Sequence, residues 1–339
     1  MTSDQQRSEG NPMRPIAIVI LSLVSCLGTS TALAGGVEIR EWAVPYEHSR
    51  PRDPAVDSLG RVWFCGQTGA YLAYLDPESG MFKKYQLSDG AGPHNLIIDR
   101  HDQVWFAANT LPYIGRLDPE SGAVTKYSMP DATARDPHTL VFDHIGNIWF
   151  TAQWGNLIGR LNTDTGKVDL VNLPDSGSRP YGIRTDARGQ PWVVLFGTNK
   201  LATIDAETLE LKLVELPHKR SRPRRLEISS DGAIWYGDYS RGMLGRYDSE
   251  SKTFQEWQLP GGSGSRPYGM AMDHREHIWL AEGGSPNRLV EFDIGKQVFD
   301  TAIDVPNSGG SIRHMYFDGG TQSIWFGEDT NFVGRLRIH

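Results

Sequence analysis

Seven tryptophans divide the chain into units of nearly constant length: Trp63, Trp105, Trp149, Trp192, Trp235, Trp279 and Trp325. The successive gaps are 42, 44, 43, 43, 44 and 46 residues. A repeat of roughly 40–45 residues built from short strands is typical of a β-propeller, in which each repeat forms one four-stranded blade. Because a single blade cannot bury its own faces and must stack against neighbours, the period predicts an all-β, seven-bladed β-propeller.

Each unit contains the same four pieces. A lead-in segment with the pattern Ser-Arg-Pro opens several units, as at 178–183 and 265–270. The tryptophan strand comes next, then a strand with a Gly-Arg pair, as at 158–161, and finally a strand of alternating polar and apolar residues. Turn sequences such as Asp-Pro-Glu-Ser-Gly at 76–80 separate the strands. This pattern predicts β structure throughout, with the tryptophans packed between neighbouring blades.

The two ends of the repeat array complement each other. The last unit stops after its third strand, at 333–338, and the chain has an additional strand before the first unit, at 37–45. We expect this N-terminal strand to complete the last blade. Such closure protects strand edges that would otherwise pair with other chains.

The N-terminal region has the features of a secretory signal. A short basic start at 13–15 precedes an almost wholly apolar run at 16–27, and Ala32-Leu33-Ala34 provides a small-residue cleavage site. The apolar run is too short to span a bilayer. The sequence therefore predicts a signal peptide at 1–34, a single propeller domain at 35–339, and a periplasmic or secreted protein. Lipid anchoring through Cys26 is the alternative.

Charge and cysteine content exclude several classes of protein. The formal net charge is −7, and the basic residues are scattered along the chain, which argues against a nucleic-acid-binding protein. The chain has two cysteines, Cys26 and Cys65, too few for a disulfide framework. No oligomer interface is evident, so we expect a monomer that binds a small molecule or cyclic peptide at the propeller mouth.

Two positions in each unit are expected to lie near the propeller axis. Eleven residues before the first six tryptophans come Arg52, His94, His138, Tyr181, Arg224 and Tyr268. Three residues after the seven tryptophans come Gly66, Ala108, Ala152, Leu195, Asp238, Glu282 and Glu328, followed by Asp329. We expect His94, His138, Tyr181, Arg224 and Tyr268 to bind substrate, although a histidine that is merely hydrogen-bonded or solvated is the alternative for the first two.

The acidic residues of the second set all fall in the last three units, so one side of the mouth is expected to be acidic. Carboxylates that converge in a narrow space repel each other unless a cation lies between them. Glu282, Glu328 and Asp329 offer hard oxygen ligands that suit Mg²⁺ or Ca²⁺. The alternative is that they pair with basic side chains such as Arg224 and Arg313 and hold the blades together.

The run Pro180-Tyr181-Gly182-Ile183, together with Ile158-Gly159-Arg160-Leu161, resembles the virginiamycin B lyase (streptogramin lyase) family. The likeness covers nearly the whole chain after residue 34. It implies a seven-bladed propeller that opens cyclic streptogramin B depsipeptides by elimination at an ester. It also implies a histidine base and glutamates that hold Mg²⁺, because the metal stabilises an enolate oxygen while the base removes the α-proton.

The chain departs from the family pattern at two lead-in segments. The pattern has a substrate-binding histidine in the sixth unit, where this chain has Tyr268. It has Glu-Pro-His in the last unit, where this chain reads Ser-Ile-Arg-His at 311–314. An alignment on the Phe-Asp pair at 317–318 places Ser311 at the metal-ligand glutamate and Arg313 at the base.

A second alignment, counted eleven residues back from Trp325, places His314 at the base instead of Arg313. The turn before Trp325 contains one extra residue, which causes the difference. Because successive strand residues point to opposite faces, we expect only one of Arg313 and His314 to face the channel. The resemblance implies Asp329 as the remaining metal ligand, with Glu328 beside it.

Three functions follow from these residues. The first is a metal-assisted lyase that opens a cyclic ester or depsipeptide, with His314 as the base and Glu328 and Asp329 as metal ligands. The second is a non-catalytic propeller whose mouth captures a ligand. The third is a metal-dependent lactone hydrolase of the gluconolactonase type, with Glu282 among the ligands of a metal ion whose bound water attacks. Fold alone does not choose among them.

Overall fold

The computed structural model describes residues 31–34, 36–131 and 134–338. Within these ranges the strands form seven antiparallel sheets, six of them from four consecutive strands and one from both ends of the chain. The inner strands of neighbouring sheets contact one another around an axis. The predicted all-β, seven-bladed propeller is confirmed. No helix in the described ranges is long and apolar enough to cross a membrane.

The first named strand of each blade is its inner strand. Blades 1 and 2 contain β3 (Pro51–Val56), β4 (Val62–Gly66), β5 (Tyr71–Leu75), β6 (Phe82–Gln86), β7 (Pro93–Ile98), β8 (Val104–Ala108), β9 (Tyr113–Leu117) and β10 (Val124–Ser128). Blades 3 and 4 contain β11 (Pro137–Phe142), β12 (Ile148–Ala152), β13 (Leu157–Leu161), β14 (Val168–Asn172), β15 (Pro180–Thr185), β16 (Pro191–Leu195), β17 (Lys200–Ile204) and β18 (Leu211–Glu215).

The remaining blades follow the same order. Blades 5 and 6 contain β19 (Pro223–Ile228), β20 (Ile234–Asp238), β21 (Met243–Asp248), β22 (Thr253–Gln258), β23 (Met270–Met272), β24 (His277–Glu282), β25 (Arg288–Asp293) and β26 (Val298–Asp304), with a 3-10 helix (Gly262–Gly264) between β22 and β23. Blade 7 contains β27 (Ile312–Asp318), β28 (Ser323–Glu328) and β29 (Phe332–Ile338), and then β2 (Val37–Ala43) and β1 (Thr31–Ala34).

The N-terminal strand closes the ring as predicted. In blade 7, β2 pairs with β29 from Val37 opposite Ile338 to Ala43 opposite Phe332. The short strand β1 pairs with the free edge of β2 and belongs to the end of the segment predicted as a signal peptide. The rest of that segment, including Cys26, lies outside the described residues, so the signal peptide stays a prediction.

The Gly-Arg strands owe their glycine to the aromatic residue that follows the tryptophan in the same blade. Gly115 lies opposite Phe106 across the ladder, and Gly159 lies opposite Phe150. A Cβ atom on either glycine would lie 2.2 or 2.1 Å from the facing ring, which no side chain tolerates. The small residue on the third strand therefore provides the room in which the second strand buries its aromatic ring.

The repeating tryptophans pack between blades, as predicted. Each lies in a different buried cluster. Trp149 of blade 3 packs with Ile183 and Leu195 of blade 4. Trp325 of blade 7 packs with Phe64 of blade 1 and so joins the two ends of the ring.

An aspartate six residues earlier in the chain fixes most of these indole rings. Asp99 accepts hydrogen bonds from two backbone N–H groups of its own turn and from Nε1 of Trp105, at 2.8 Å. In blade 7 the turn contains the extra residue, and its aspartate, Asp318, lies seven residues before Trp325. Asp318 binds the turn, and Nε1 of Trp325 finds no partner among the described residues. The 46-residue gap therefore costs blade 7 this hydrogen bond.

A buried pair of carboxyl groups lies at the closure seam. Glu41 on β2 and Glu328 on β28 are fully buried and interact across β29. Burial raises the pKa of Glu328, and the neighbouring Glu41 carboxylate raises it further. Glu41 accepts a hydrogen bond from Nδ2 of Asn307 at 2.6 Å. Glu328 therefore holds a proton that it donates to Glu41.

Replacing an interblade tryptophan is expected to weaken the whole fold. Trp149→Ala should lower the free energy of unfolding by about 3–5 kcal/mol, because it empties a fully buried site between blades 3 and 4. Trp154→Ala is the matched control, since that ring is 56% exposed, and should change stability by less than about 0.5 kcal/mol. Urea denaturation followed by circular dichroism measures both, and equal effects would contradict the assigned packing role.

The carboxyl pair predicts that Glu328→Gln increases stability at pH 8, whereas Trp149→Ala decreases it. The raised pKa of Glu328 gives a stability contribution that is full below its usual value of 4.5 and is lost as the pH rises through the folded-state value. Glutamine keeps the hydrogen bond without a titrating proton. The variant should therefore be more stable than the wild type at pH 8, by about 1 kcal/mol or more, and the advantage should vanish near pH 4.

The equivalent position in blade 6 provides the control. Glu282 forms an ion pair with Arg288, so Glu282→Gln should destabilise the protein at pH 8. Thermal unfolding of both variants between pH 4 and pH 8 tests the contrast. A Glu328→Gln protein less stable than the wild type at pH 8 would show that the pair is not protonated.

Candidate functional site

The inner strands of blades 2, 3, 4 and 7 have a register shift at the same place, near the top of the channel. In blade 3, Pro137 pairs with Ala152 and Leu140 pairs with Phe150, so two inner residues lie opposite one residue of the second strand. Blade 7 has the same shift between Ile312 and Met315. Such a β-bulge interrupts the alternation of side chains. Two successive residues of an inner strand can therefore both point toward the axis.

The bulge corrects the expectation that only one of Arg313 and His314 faces the channel. Ile312 pairs opposite Glu328 just as Pro137 pairs opposite Ala152. Arg313 therefore matches His138 in register, in agreement with the alignment on 317–318. His314 occupies the next level, where strict alternation would have turned it away.

Two stacked rings of side chains result, and we name them by their distance from the mouth. The upper ring consists of Arg52, His94, His138, Tyr181, Arg224, Tyr268 and Arg313. The lower ring consists of Asp53, Asn95, Thr139, Arg225 and His314, and glycines occupy the corresponding positions 182 and 269 of blades 4 and 6. The first six upper-ring residues are those that the tryptophan spacing predicted.

Aromatic and imidazole rings contact one another along the upper ring. The ring centroids of His94 and His138 lie 3.6 Å apart, and those of His138 and Tyr181 lie 4.2 Å apart. The hydroxyl groups of Tyr181 and Tyr268 share a hydrogen bond. Burial, with Arg52 nearby, holds the pKa of both histidines well below the usual range. Both imidazoles are therefore neutral at neutral pH.

Arginine side chains surround Tyr268. Nη1 of Arg313 donates to its hydroxyl oxygen at 3.4 Å, and the Cζ atom of Arg224 lies 3.5 Å from its ring centroid. Burial alone would raise the pKa of Tyr268, but Arg224, Arg52 and further guanidinium groups outweigh it and lower the pKa to about 8. Burial and the neighbouring Tyr268 raise the pKa of Tyr181. Tyr268 therefore ionises first.

The lower ring is held by one buried carboxylate. Asp53 accepts hydrogen bonds from Arg52 at 3.1 Å, Arg225 at 3.3 Å and Asn95 at 3.0 Å. Burial would raise the pKa of Asp53, but the two guanidinium groups keep it well below its usual range. Arg225 also donates to the backbone oxygen of Arg313 at 3.1 Å. The carboxylate thus fixes the floor of the mouth.

His314 lies in this floor and faces the other end of the channel. Its side chain lines a cavity of about 440 Å³, together with Met272 and Phe317. Burial and the nearby Arg225 lower its pKa well below the usual range. This position does not support His314 as the base for a substrate bound at the mouth, whereas Arg313 lies in the mouth as a permanent cation.

The carboxylates predicted as metal ligands lie apart. Glu282 forms an ion pair with Arg288, Glu328 interacts with Glu41, and Asp329 pairs with Nη2 of Arg313 at 2.5 Å. Glu282 ends the second strand of blade 6, and Glu328 ends the second strand of blade 7 with Asp329 directly after it. Side chains of neighbouring loops and strands are therefore closer to each carboxylate than the other carboxylates are. The expected acidic side of the mouth is therefore replaced by separate pairs, as the alternative predicted for Glu282 and Asp329.

These residues do not fit a Mg²⁺ or Ca²⁺ site, because a hard cation needs several free oxygens that converge. Ser311 stands where the family resemblance implies a glutamate, and the oxygens of Asp329 are bound by Arg313. One group of potential ligand atoms within 4.8 Å of one another occurs among the described residues, at Asp273, His277 and Glu291. Arg275 already pairs with Asp273 and Glu291 there.

The Ser-Arg-Pro segments place further arginines at the rim. Arg50, Arg179 and Arg266 precede prolines and have positive φ angles of 49°, 50° and 46°, a strained conformation that is common at ligand sites. Arg50 lies 3.6 Å from Asp329, and Arg179 lies over the ring of Trp154 at 4.4 Å. Arg266 lines a cavity of about 360 Å³ between blades 6 and 7. The rim is thus basic as well.

Guanidinium groups outnumber carboxylates at the mouth. Among the described residues near the axis, the arginines are Arg50, Arg52, Arg224, Arg225 and Arg313, and the carboxylates that pair with them are Asp53 and Asp329. The sequence reasoning missed Asp53 and Arg225, because it assumed strict alternation along each inner strand. The available signal was the succession of two polar residues in one buried strand, as at 52–53, 94–95 and 224–225.

Comparison with known proteins agrees with this architecture. The sequence profile of the Virginiamycin B lyase family matches residues 28–290 and 172–339. Curated protein sequences contain no match to the chain. The fold is similar to that of selenomethionine-substituted virginiamycin B lyase from Staphylococcus aureus, with a TM-score of 0.81 and 23% identity over 89% of this chain and 100% of that one.

Two other solved structures share the fold. A catalytically inactive variant of the Staphylococcus aureus lyase with quinupristin has a TM-score of 0.80 and 24% identity, covering 89% of this chain and 100% of that one. An extracellular domain assigned to a hybrid two-component system of B. thetaiotaomicron has a TM-score of 0.66 and 18% identity, covering 87% of this chain and 42% of that one. The seven-bladed architecture and the profile match agree: the chain belongs to the virginiamycin B lyase family.

Proposed function

We propose that the mouth of this propeller binds a small anionic molecule. The observation that carries the proposal is the state of Arg224. Among the described residues no carboxylate lies within salt-bridge distance of its guanidinium group, and its buried Nε atom has no hydrogen-bond partner. A buried cationic donor without a partner is costly, and an anion that accepts from it removes that cost.

A second donor points to the same ligand. Nη2 of Arg52 is also buried without a partner in the described part of the chain, although its other nitrogens bind Asp53 and Gln67. Both arginines belong to the upper ring. A carboxylate or phosphate group offers several acceptor oxygens and can bind more than one guanidinium group at once.

The surroundings of Arg224 indicate that the ligand also has a carbon body. Four aromatic rings, those of Tyr181, Phe196, Tyr239 and Tyr268, lie within 5.1 Å of its Cζ atom. Two of them, Phe196 and Tyr239, are partly exposed. Apolar faces next to a charged donor suit a molecule that joins a ring or chain to an anionic group.

Binding of an anion explains the mouth better than the two metal-dependent reactions do. The lyase pattern places glutamates and a histidine where this chain has Ser311, Asp329 and Arg313. A gluconolactonase-type hydrolase requires carboxylates that converge on one metal ion, and Glu282 is already engaged by Arg288. Neither reaction has a specific contact in its favour.

Titration calorimetry with trigalacturonate and with inorganic phosphate tests the proposal, with uncharged maltotriose as the matched control ligand. The wild type should bind at least one of the anions and not maltotriose, and added salt should weaken the binding. Arg224→Met should reduce the affinity at least about tenfold, because one charge-assisted hydrogen bond contributes about 1.5–3 kcal/mol.

Arg188→Met is the control variant, since Arg188 lies in an exposed turn beside Asp186. It should bind the anions as the wild type does. If neither anion binds saturably, or if Arg224→Met binds as tightly as the wild type, the proposed function is wrong.

We further propose that the protein acts after export, on the basis of the predicted signal peptide at 1–34. Expression of the full chain in a bacterial host should yield a product outside the cytoplasm whose sequence starts at Gly35. Ala34→Tyr should block that cleavage, because the site requires a small residue. N-terminal sequencing of each cell fraction measures both, and an uncleaved cytoplasmic product would contradict export.

A further inference from the structure

The hydroxyl groups of Tyr181 and Tyr268 form a pair inside the proposed anion site. They share a hydrogen bond across the channel, between blades 4 and 6. Both side chains are at least nine-tenths buried. The shared hydrogen bond already satisfies both hydroxyl groups. Nη1 of Arg313 nevertheless also donates to the oxygen of Tyr268, at 3.4 Å.

The surroundings give the two phenols different roles. Arg224 lies against the ring of Tyr268 at 3.5 Å and Arg313 lies at its oxygen, so positive charge favours the phenolate of Tyr268. The ring centroid of Tyr181 is 5.1 Å from Cζ of Arg224. Burial and the neighbouring Tyr268 raise the pKa of Tyr181, so this phenol keeps its proton. A pair of titratable groups whose acidities are driven apart in this way is typical of an acid and a base that work together.

An anion bound by Arg224 and Arg313 would place its neighbouring carbon close to the oxygen of Tyr268, because Arg313 contacts that oxygen directly. We propose that Tyr268, as the phenolate, removes the proton from the carbon next to a bound carboxylate and so starts a β-elimination. The substrate class is a carboxylic acid with an oxygen substituent on the β-carbon, such as a uronic acid glycoside. This inference rests on the proposed anion-binding function.

The step balances without an oxidant or reductant. The C–H bond next to the carboxylate breaks, and its proton forms an O–H bond with Tyr268. The electron pair forms the carbon–carbon double bond as the bond from the β-carbon to oxygen breaks. The leaving oxygen takes the proton of Tyr181. The proton now on Tyr268 then passes to Tyr181 through their shared hydrogen bond, which restores the starting state. The products are an unsaturated acid and an alcohol.

The guanidinium groups provide the stabilisation that this reaction needs. Removal of a proton beside a carboxylate places a second negative charge on that group in the transition state. Arg224 and the half-buried Arg313 are fixed donors next to this charge, and preorganised donors stabilise developing charge more than mobile water does. Asp53 holds Arg225 in the floor of the mouth, and Asp329 holds Arg313.

Trigalacturonate in deuterium oxide tests the proposal, because its middle and reducing-end residues have both the acidic C–H bond beside the carboxylate and a glycosidic oxygen on the β-carbon. Mass spectrometry measures deuterium incorporation, and ultraviolet absorbance measures the unsaturated product. The wild type should incorporate deuterium or release that product. Tyr268→Phe should lower the rate at least about 100-fold, the usual contribution of a positioned base, while the dissociation constant for trigalacturonate changes less than about threefold.

Tyr247→Phe is the matched control, because it deletes a tyrosine hydroxyl beside Trp192, at the end of β21 that pairs with Ile234 and lies away from the mouth. Its rate should equal that of the wild type. Trigalacturonate that binds without exchange or product, or a Tyr268→Phe protein that retains the wild-type rate, overturns the inference and leaves anion binding intact. If phosphate binds and trigalacturonate does not, the substrate class is wrong. If neither binds, the proposed function itself fails.

A spectroscopic titration tests the base without any ligand. Tyrosinate absorbance of the wild type should show one tyrosine that ionises near pH 8, ahead of the others. Tyr268→Phe should remove that early step, and Tyr247→Phe should keep it. An early step that survives in Tyr268→Phe overturns the assignment of Tyr268 as the base.

Discussion

The packing of one tryptophan between each pair of neighbouring blades is the interaction on which the rest of this structure depends. Each indole ring fills a buried cluster shared by two blades, and most are oriented by an aspartate in the adjacent turn. Seven such contacts fix the angle between blades and hence the diameter of the ring. The axial side chains can meet across the channel because that diameter is fixed.

The bulge in the inner strands turns this scaffold into a site. It directs two consecutive residues of a strand toward the axis, so the channel receives two levels of polar side chains where regular alternation would allow one. The lower level, centred on Asp53, holds the floor. The upper level, which contains Arg224 and Tyr268, therefore rests on a rigid floor and faces the ligand.

Much of this arrangement could be predicted from the chain, and some could not. The spacing of the tryptophans predicted the seven blades and six of the upper-ring residues, and the incomplete last unit predicted the closure by the N-terminal strand. It failed for the carboxylates, because Glu282 and Glu328 meet partners that are six residues or nearly the whole chain away, Arg288 and Glu41. A position relative to tryptophan indicates where a side chain starts, but not which charge lies beside it.

The sequence by itself determined the fold, the family and the set of residues near the axis, because these depend on a period and on local turn chemistry that every unit repeats. Only the tertiary structure decided which residues share the mouth and in what charge state. Arg313 and His314 are neighbours in the chain, yet the bulge separates them into a cation at the mouth and a neutral imidazole in the floor. The acidity of Tyr268 likewise comes from arginines of other blades, which only closure of the ring brings together.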